Sequence, residues 1–230
     1  MVTPAAESAQ VTRDPNLPRR DESARARLAA VGVARAPVVL ARDRALTIPG
    51  ALGEVLPVVQ RGTVVAVGGD PGSGAMSTVL AIAAAATGAG EWAAMVEGAS
   101  TPGGLAAHEA GVDLARFAVV REVARDRWAT VVAALLDGMS VVVASVPRGL
   151  RSGDARRLAA RTRERSSLLV TLAPDVRAWP VEAALRIDAR GGPWSGLGRG
   201  DGILAARVPV WEMRGRGVRA GRDSRLDLAG

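Results

Sequence analysis

The residues best placed to do chemistry form a glycine-rich loop. An apolar run, Val65-Ala66-Val67, leads into Gly68-Gly69-Asp70-Pro71-Gly72-Ser73-Gly74-Ala75-Met76, and an apolar helical pattern follows from Ser77. A strand, a glycine turn and a helix in that order match the phosphate-binding pattern G-x-x-x-x-G-K-[ST]. In that pattern backbone N–H groups cradle phosphates at a helix N-terminus, a lysine adds charge, and a hydroxyl holds magnesium. Gly69 and Gly74 occupy the two glycine positions here, but the lysine position is Ala75 and the hydroxyl position is Met76. All 30 basic residues of the chain are arginine, so no lysine can substitute. Each lost charge-assisted bond is worth about 1.5–3 kcal/mol, and 1.4 kcal/mol is about tenfold in affinity. Asp70 adds a negative charge beside the phosphate position. The loop is therefore expected to keep its shape without its chemistry, with neither ATP nor magnesium as a cofactor and no metal site.

A second strand bears on the same chemistry. Val141-Val142-Val143-Ala144-Ser145 is where a nucleotide hydrolase of this layout would end a strand in a magnesium-holding aspartate. The aspartate position is Ala144, followed by Ser145. Glu97 ends another apolar strand, at the position of a water-activating base. Without phosphate or metal partners it reads as a strand-end carboxylate facing solvent or arginine. His108, the one histidine, lies in an alanine-rich helix pattern and reads as a surface or packing residue. No catalytic residue is assigned.

These residues need a scaffold, and the pattern around them supplies one. Strands are expected at 63–67, 93–97, 117–121, 140–145 and 167–172, with helices at 75–86, 104–110, 126–136 and 153–165 between them. Apolar strands alternating with helices indicate an α/β fold with a mostly parallel sheet and helices on both faces. After Pro180 shorter strands are expected at 182–188, 202–208 and 210–214, as an antiparallel extension. Residues 191–202 read as a glycine-rich hairpin loop between them. The expected organisation is a flexible arm with a short helix over 1–36, a core over 37–213, and an Arg/Gly-rich tail over 214–230.

Composition narrows the classes further. The chain of 230 residues has no cysteine, which excludes disulfides and thiolate metal sites. Only one Phe and five Trp supply aromatic bulk, so the core must rest on Val, Leu and Ala. No apolar run suits a signal peptide or a membrane span, and the expected compartment is the cytoplasm. A net charge of +7 admits nucleic acid as a partner, although a GC-rich coding background also favours arginine. Trp92 and Trp128 suit helix–sheet packing. Trp194 and Trp211, near the edge strands, suit edge packing and are also candidate partner anchors. Arg214, Arg216, Arg219, Arg222 and Arg225, interleaved with glycine, are candidate partner or DNA contacts. Arg156, Arg157, Arg161, Arg163 and Arg165 mark one helix as a solvated charged face.

The order of glycine loop, Glu97-ended strand, Gly111-Val112-Asp113-Leu114, Val-rich strand and Ala144-Ser145 resembles the core of RecA over about residues 46–190. Ala75 and Met76 replace the Lys and Thr of that core, Ala144 its Walker B aspartate, and its glutamine is absent near Leu172-Ala173. Pro102, five residues after Glu97, fits the RecA segment that bears the catalytic glutamate. Short, degenerate and actinobacterial in composition, with Trp194 to Gly202 reading Trp-x-Gly-Leu-Gly-Arg-Gly-x-Gly, the chain is similar to the ImuA group. That resemblance implies a RecA-like fold and a non-catalytic accessory role in SOS-induced mutagenic translesion synthesis. The partners it implies are an ImuB-like Y-family protein and an error-prone C-family polymerase, with RecA and single-stranded DNA as further candidates. Two alternatives remain: a weak ATP-binding recombination regulator, and a DNA-binding module acting through the tail. The tail reading carries its own test. DNA binding would weaken steeply with salt, and removing residues 214–230 would flatten that dependence in a salt-titrated anisotropy assay.

Overall fold

A computed structural model describes residues 45–98, 102–197, 202–207 and 210–215. The chain divides into two units, Met1–Leu40 and Ala41–Gly230. All that follows concerns the second. The expected N-terminal arm, and the tail arginines Arg216, Arg219, Arg222 and Arg225, lie outside the described residues.

A short antiparallel pair opens the described chain: β1 (Ala45–Thr47) against β2 (Val58–Gln60), joined by helix α1 (Gly50–Val55). The central sheet is built from β3 (Thr63–Gly68), β4 (Ala93–Val96), β5 (Phe117–Val120), β6 (Val141–Ser145), β7 (Leu168–Ala173), β8 (Leu185–Gly191) and β11 (Val210–Gly215). Its order is β11-β8-β3-β7-β6-β4-β5, with only β11 antiparallel to its neighbour. The connecting helices are α2 (Ala75–Gly88), α3 (Gly104–Glu109), α4 (Trp128–Gly138) and α5 (Ser152–Arg165). The fold is thus α/β with a mostly parallel seven-stranded sheet flanked by helices, as the alternating pattern predicts. The element ends move by a few residues at most.

Strand alternation sends consecutive side chains to opposite faces. Val65, Val67, Met95, Val143 and Val170 pack with Val79, Ile82 and Ala86 of α2, and α1 joins that side. Val64, Ala66, Val142, Ala144 and Leu169 pack with Val132, Leu136 and Leu158 of α4 and α5. Both faces are covered, which is why the parallel strands are apolar throughout. Trp128 and Trp179 supply aromatic bulk on the second face. Trp92 departs from its packing assignment, because half of its surface is exposed.

Three strands escaped the sequence pattern. β1 and β2 are three residues each, too short to show a period. The third corrects the glycine-rich loop: Trp194–Leu197 is a strand, β9, paired with β10 (Gly202–Arg207) in a separate hairpin. Its glycines hid the alternation.

Two polar ties join elements distant in sequence, one between the sheet and α2 and one between α4 and α5 on the same face. Trp211 of β11 donates from Nε1 to Thr78 Oγ1 of α2 at 2.9 Å, within the core. Asp137, at the end of α4, accepts from Arg161 Nε at 2.8 Å and Arg165 Nε at 3.0 Å of α5. The Arg161 bond, foremost among several causes, holds the Asp137 carboxyl below its ordinary pKa of 3.8. A depressed carboxylate stabilises the fold above its unfolded value and loses that effect as the pH falls through its folded value. Trp211→Phe should therefore cost about 1–2 kcal/mol in urea unfolding, by deleting a buried donor to Thr78. Asp137→Asn should remove a small part of the stability at neutral pH and leave stability less sensitive to acid below pH 3.8.

Candidate functional site

The loop Gly69–Gly74 leaves the C-terminal end of β3 and enters α2, at the end of a parallel sheet where α/β proteins bind ligands. Its shape is fixed by its own chain. Gly69 N donates to the carbonyls of Ala173 (3.2 Å) and Pro174 (3.1 Å), tying the loop to the end of β7. Ser73 N donates to the Asp70 carbonyl at 2.9 Å, and Ala75 N donates to Ser73 Oγ at 3.4 Å. Gly74 precedes the first helical residue with φ +96°, a left-handed conformation that costs a side-chain-bearing residue about 1–2 kcal/mol. The Thr78 hydroxyl donates to the Gly74 carbonyl at 2.9 Å and accepts from Trp211. Three loop amides and the Thr78 hydroxyl of α2 are thus already bonded within the protein, whereas the neighbouring Ser77 is exposed and lines the space over the loop.

The positions of a lysine and a magnesium-binding hydroxyl belong to Ala75, which is buried, and Met76, which packs against the core. Neither offers a charge or a hydroxyl. Asp70 is exposed. Glu97 follows β4, with Oε1 3.1 Å from Arg121 Nε, an arginine partner as the sequence reading allowed. Ala144 is fully buried on the α4–α5 side of the sheet, and the residue of that strand end that lines the loop cavity is Ser145. The Cβ that Gly98 lacks would lie 2.5 Å from Ser145 Cβ, so the β4 and β6 ends meet in direct contact there.

Sequence reasoning missed the arginines. Arg207, at the end of β10, reaches the loop: its Nη1 donates to the Gly72 carbonyl and its Nε donates to the Gly192 carbonyl at 3.1 Å. Its guanidinium lies 5.4 Å from the centre of the Trp194 ring, within cation–π range. Trp194 is itself half exposed and stays available as a surface aromatic. Trp211 is buried, and its anchoring is internal. Arg214 is exposed on β11. His108 is exposed on α3. Arg190 bridges Asp188 and Glu212, each at 3.0 Å, beside a small cavity of about 390 Å³ that borders the loop.

A far larger cavity, of about 1150 Å³, lies over the loop. The loop, α2, the ends of β4, β6 and β7, Trp194 and Arg207 all contribute to it. Arg125 and Arg148, both exposed, also line it. Their signal was present in the sequence as basic residues shortly after β5 and β6, on the ligand-binding side of a parallel sheet.

Residues 54–181, from α1 past the end of β7, match the MT3502 N-terminal domain model, more than half of the chain. The chain belongs to the MT3502 N-terminal domain family. It is also similar to the uncharacterized protein Rv3395c of Mycobacterium tuberculosis, 37% identical over 139 residues. That match covers 57% of this chain and 67% of the relative. The family region contains the glycine loop, Glu97 and Ala144-Ser145 but not the β9–β10 hairpin that carries Arg207.

Gly74→Ala tests whether the loop is a structural turn. It should lower stability by about 1–2 kcal/mol in chemical denaturation, whether or not ATP–magnesium is present.

Proposed function

We propose that the protein is a RecA-like, non-catalytic adaptor of SOS-induced mutagenic translesion synthesis, a pseudo-ATPase core that docks onto other mutasome proteins. The observation that carries the non-catalytic part is the loop itself. Ala75 and Met76 stand where the cation and hydroxyl would be, and the Gly69, Ser73 and Ala75 amides are spent on protein acceptors. Phosphoryl transfer depends almost wholly on positioning and charge stabilisation, which this loop does not supply. The RecA-like part is supported by the parallel sheet with the loop at the end of interior strand β3, and by Glu97 at the end of β4. A mostly parallel sheet of this kind also suits other Rossmann or P-loop-like folds. The resemblance of the motif order favours RecA among them.

An adaptor needs a contact surface. The half-exposed Trp194, stacked on Arg207, and the exposed Arg214 of edge strand β11 are the described residues best suited to it. An aromatic ring held by an arginine has the composition of an interface hot spot. The partners proposed are the ImuB-like Y-family protein and the error-prone C-family polymerase of the same organism.

The test is association of the purified proteins, followed by size-exclusion chromatography with light scattering and by biolayer interferometry. A complex with a dissociation constant of about 1 μM or tighter, unaltered by ATP–magnesium and weakened by Trp194→Ala, is expected. No complex with either partner at tens of micromolar would contradict the adaptor reading.

A further inference from the structure

We infer that the 1150 Å³ cavity over the glycine loop binds an organic anion with a broad apolar body, such as an aromatic or acyl carboxylate, in place of a nucleoside triphosphate. The volume lies just above the usual range of small-molecule pockets, which are concave and mostly apolar with a few placed polar groups. Met76, Val123 and Leu172 contribute apolar wall, together with Trp128, Trp194 and Trp211. Such walls favour an apolar body and penalise a desolvated triphosphate with its magnesium ion.

The charges around the cavity select the sign of the ligand. Five ionisable residues line it: Asp70, Glu97, Arg125, Arg148 and Arg207. Three arginines outnumber the two carboxylates, and one carboxylate, Glu97, is already countered by an arginine outside the lining. Glu97 lies 3.1 Å from Arg121, although its buried Oε1 accepts no hydrogen bond among the described residues, and Asp70 is exposed to solvent. The three arginines are not countered in the same way. Arg207 donates to neutral carbonyls, which leaves its positive charge unbalanced. Arg125 and Arg148 are exposed, and among the described residues neither has an ion-pair partner. Three guanidinium groups beside an apolar cavity fit a carboxylate or sulfonate head on an apolar body. Trp128 adds to this: it is almost fully buried in the cavity wall, and its Nε1 donor has no acceptor among the described residues. An anionic ligand brings acceptors.

This reading does not depend on the identity of any protein partner, and its test uses none. The probe is 8-anilinonaphthalene-1-sulfonate, followed by its own fluorescence and by energy transfer from tryptophan in the full chain. Saturable binding of one probe per chain is expected. Arg125→Glu combined with Arg148→Glu should weaken it about tenfold or more, as the loss of two charge-assisted contacts requires. Both arginines are exposed, so circular dichroism should be unchanged. The uncharged analogue N-phenyl-1-naphthylamine should bind the natural protein and the variant equally. Laurate should displace the sulfonate probe, and ATP–magnesium should not. Binding that does not saturate, or that is indifferent to the two arginine changes, would overturn the proposal by reducing it to adventitious apolar adsorption. Displacement by ATP–magnesium would overturn it in favour of a nucleotide site.

Discussion

One threonine hydroxyl joins parts of the chain separated by 133 residues. Thr78 Oγ1 donates to the Gly74 carbonyl and accepts from the indole of Trp211. The first contact closes the turn that lets β3 become α2. The second fixes the antiparallel edge strand β11 against the same helix. Because the hydroxyl is buried and used in both directions, it supports the structure on both sides. The glycine loop inherits that constraint: it is held by protein acceptors on both sides, from the Ala173 and Pro174 carbonyls to Ser73 Oγ.

A loop held in this way has consequences for the space above it. In a working phosphate loop that space is polar, because a cation and a metal ion must be accommodated. Here Ala75 is buried, Met76 packs against the core, and tryptophans complete the walls. The positive charge has moved from the floor to arginines on β10 and on the loops after β5 and β6. The adaptor proposal and the ligand proposal both follow from this shift. An arginine-stacked tryptophan beside the cavity offers a contact surface, and the cavity itself offers a site for an amphipathic anion.

The sheet was legible in the sequence because its strands are buried on both faces. An unbroken apolar run such as Val141–Val143 can then be read without long-range information. The loop was legible because Gly74 must be left-handed, a need that only glycine meets cheaply. The edge hairpin was not. β9 carries Gly196 among its four residues, and its alternation is lost to composition. Nor could the role of Arg207 be read: its contact with Gly72 spans 135 residues and depends on how the hairpin folds back. Trp211 illustrates the same limit. Position near an edge left packing and partner anchoring both open, and only the fold shows its indole N–H on a buried acceptor of α2.

The measurement closest to the central claim is calorimetric titration of ATP–magnesium into the purified protein, beside Ala75→Lys/Met76→Thr in the same buffer. The loop described here predicts no binding heat up to about 1 mM nucleotide, where ordinary ATP-dependent enzymes are saturated. Saturable binding by the natural chain in the range of about 1–10 μM would contradict it. The loop backbone alone would then suffice for a nucleotide, and the protein would be a nucleotide-controlled switch.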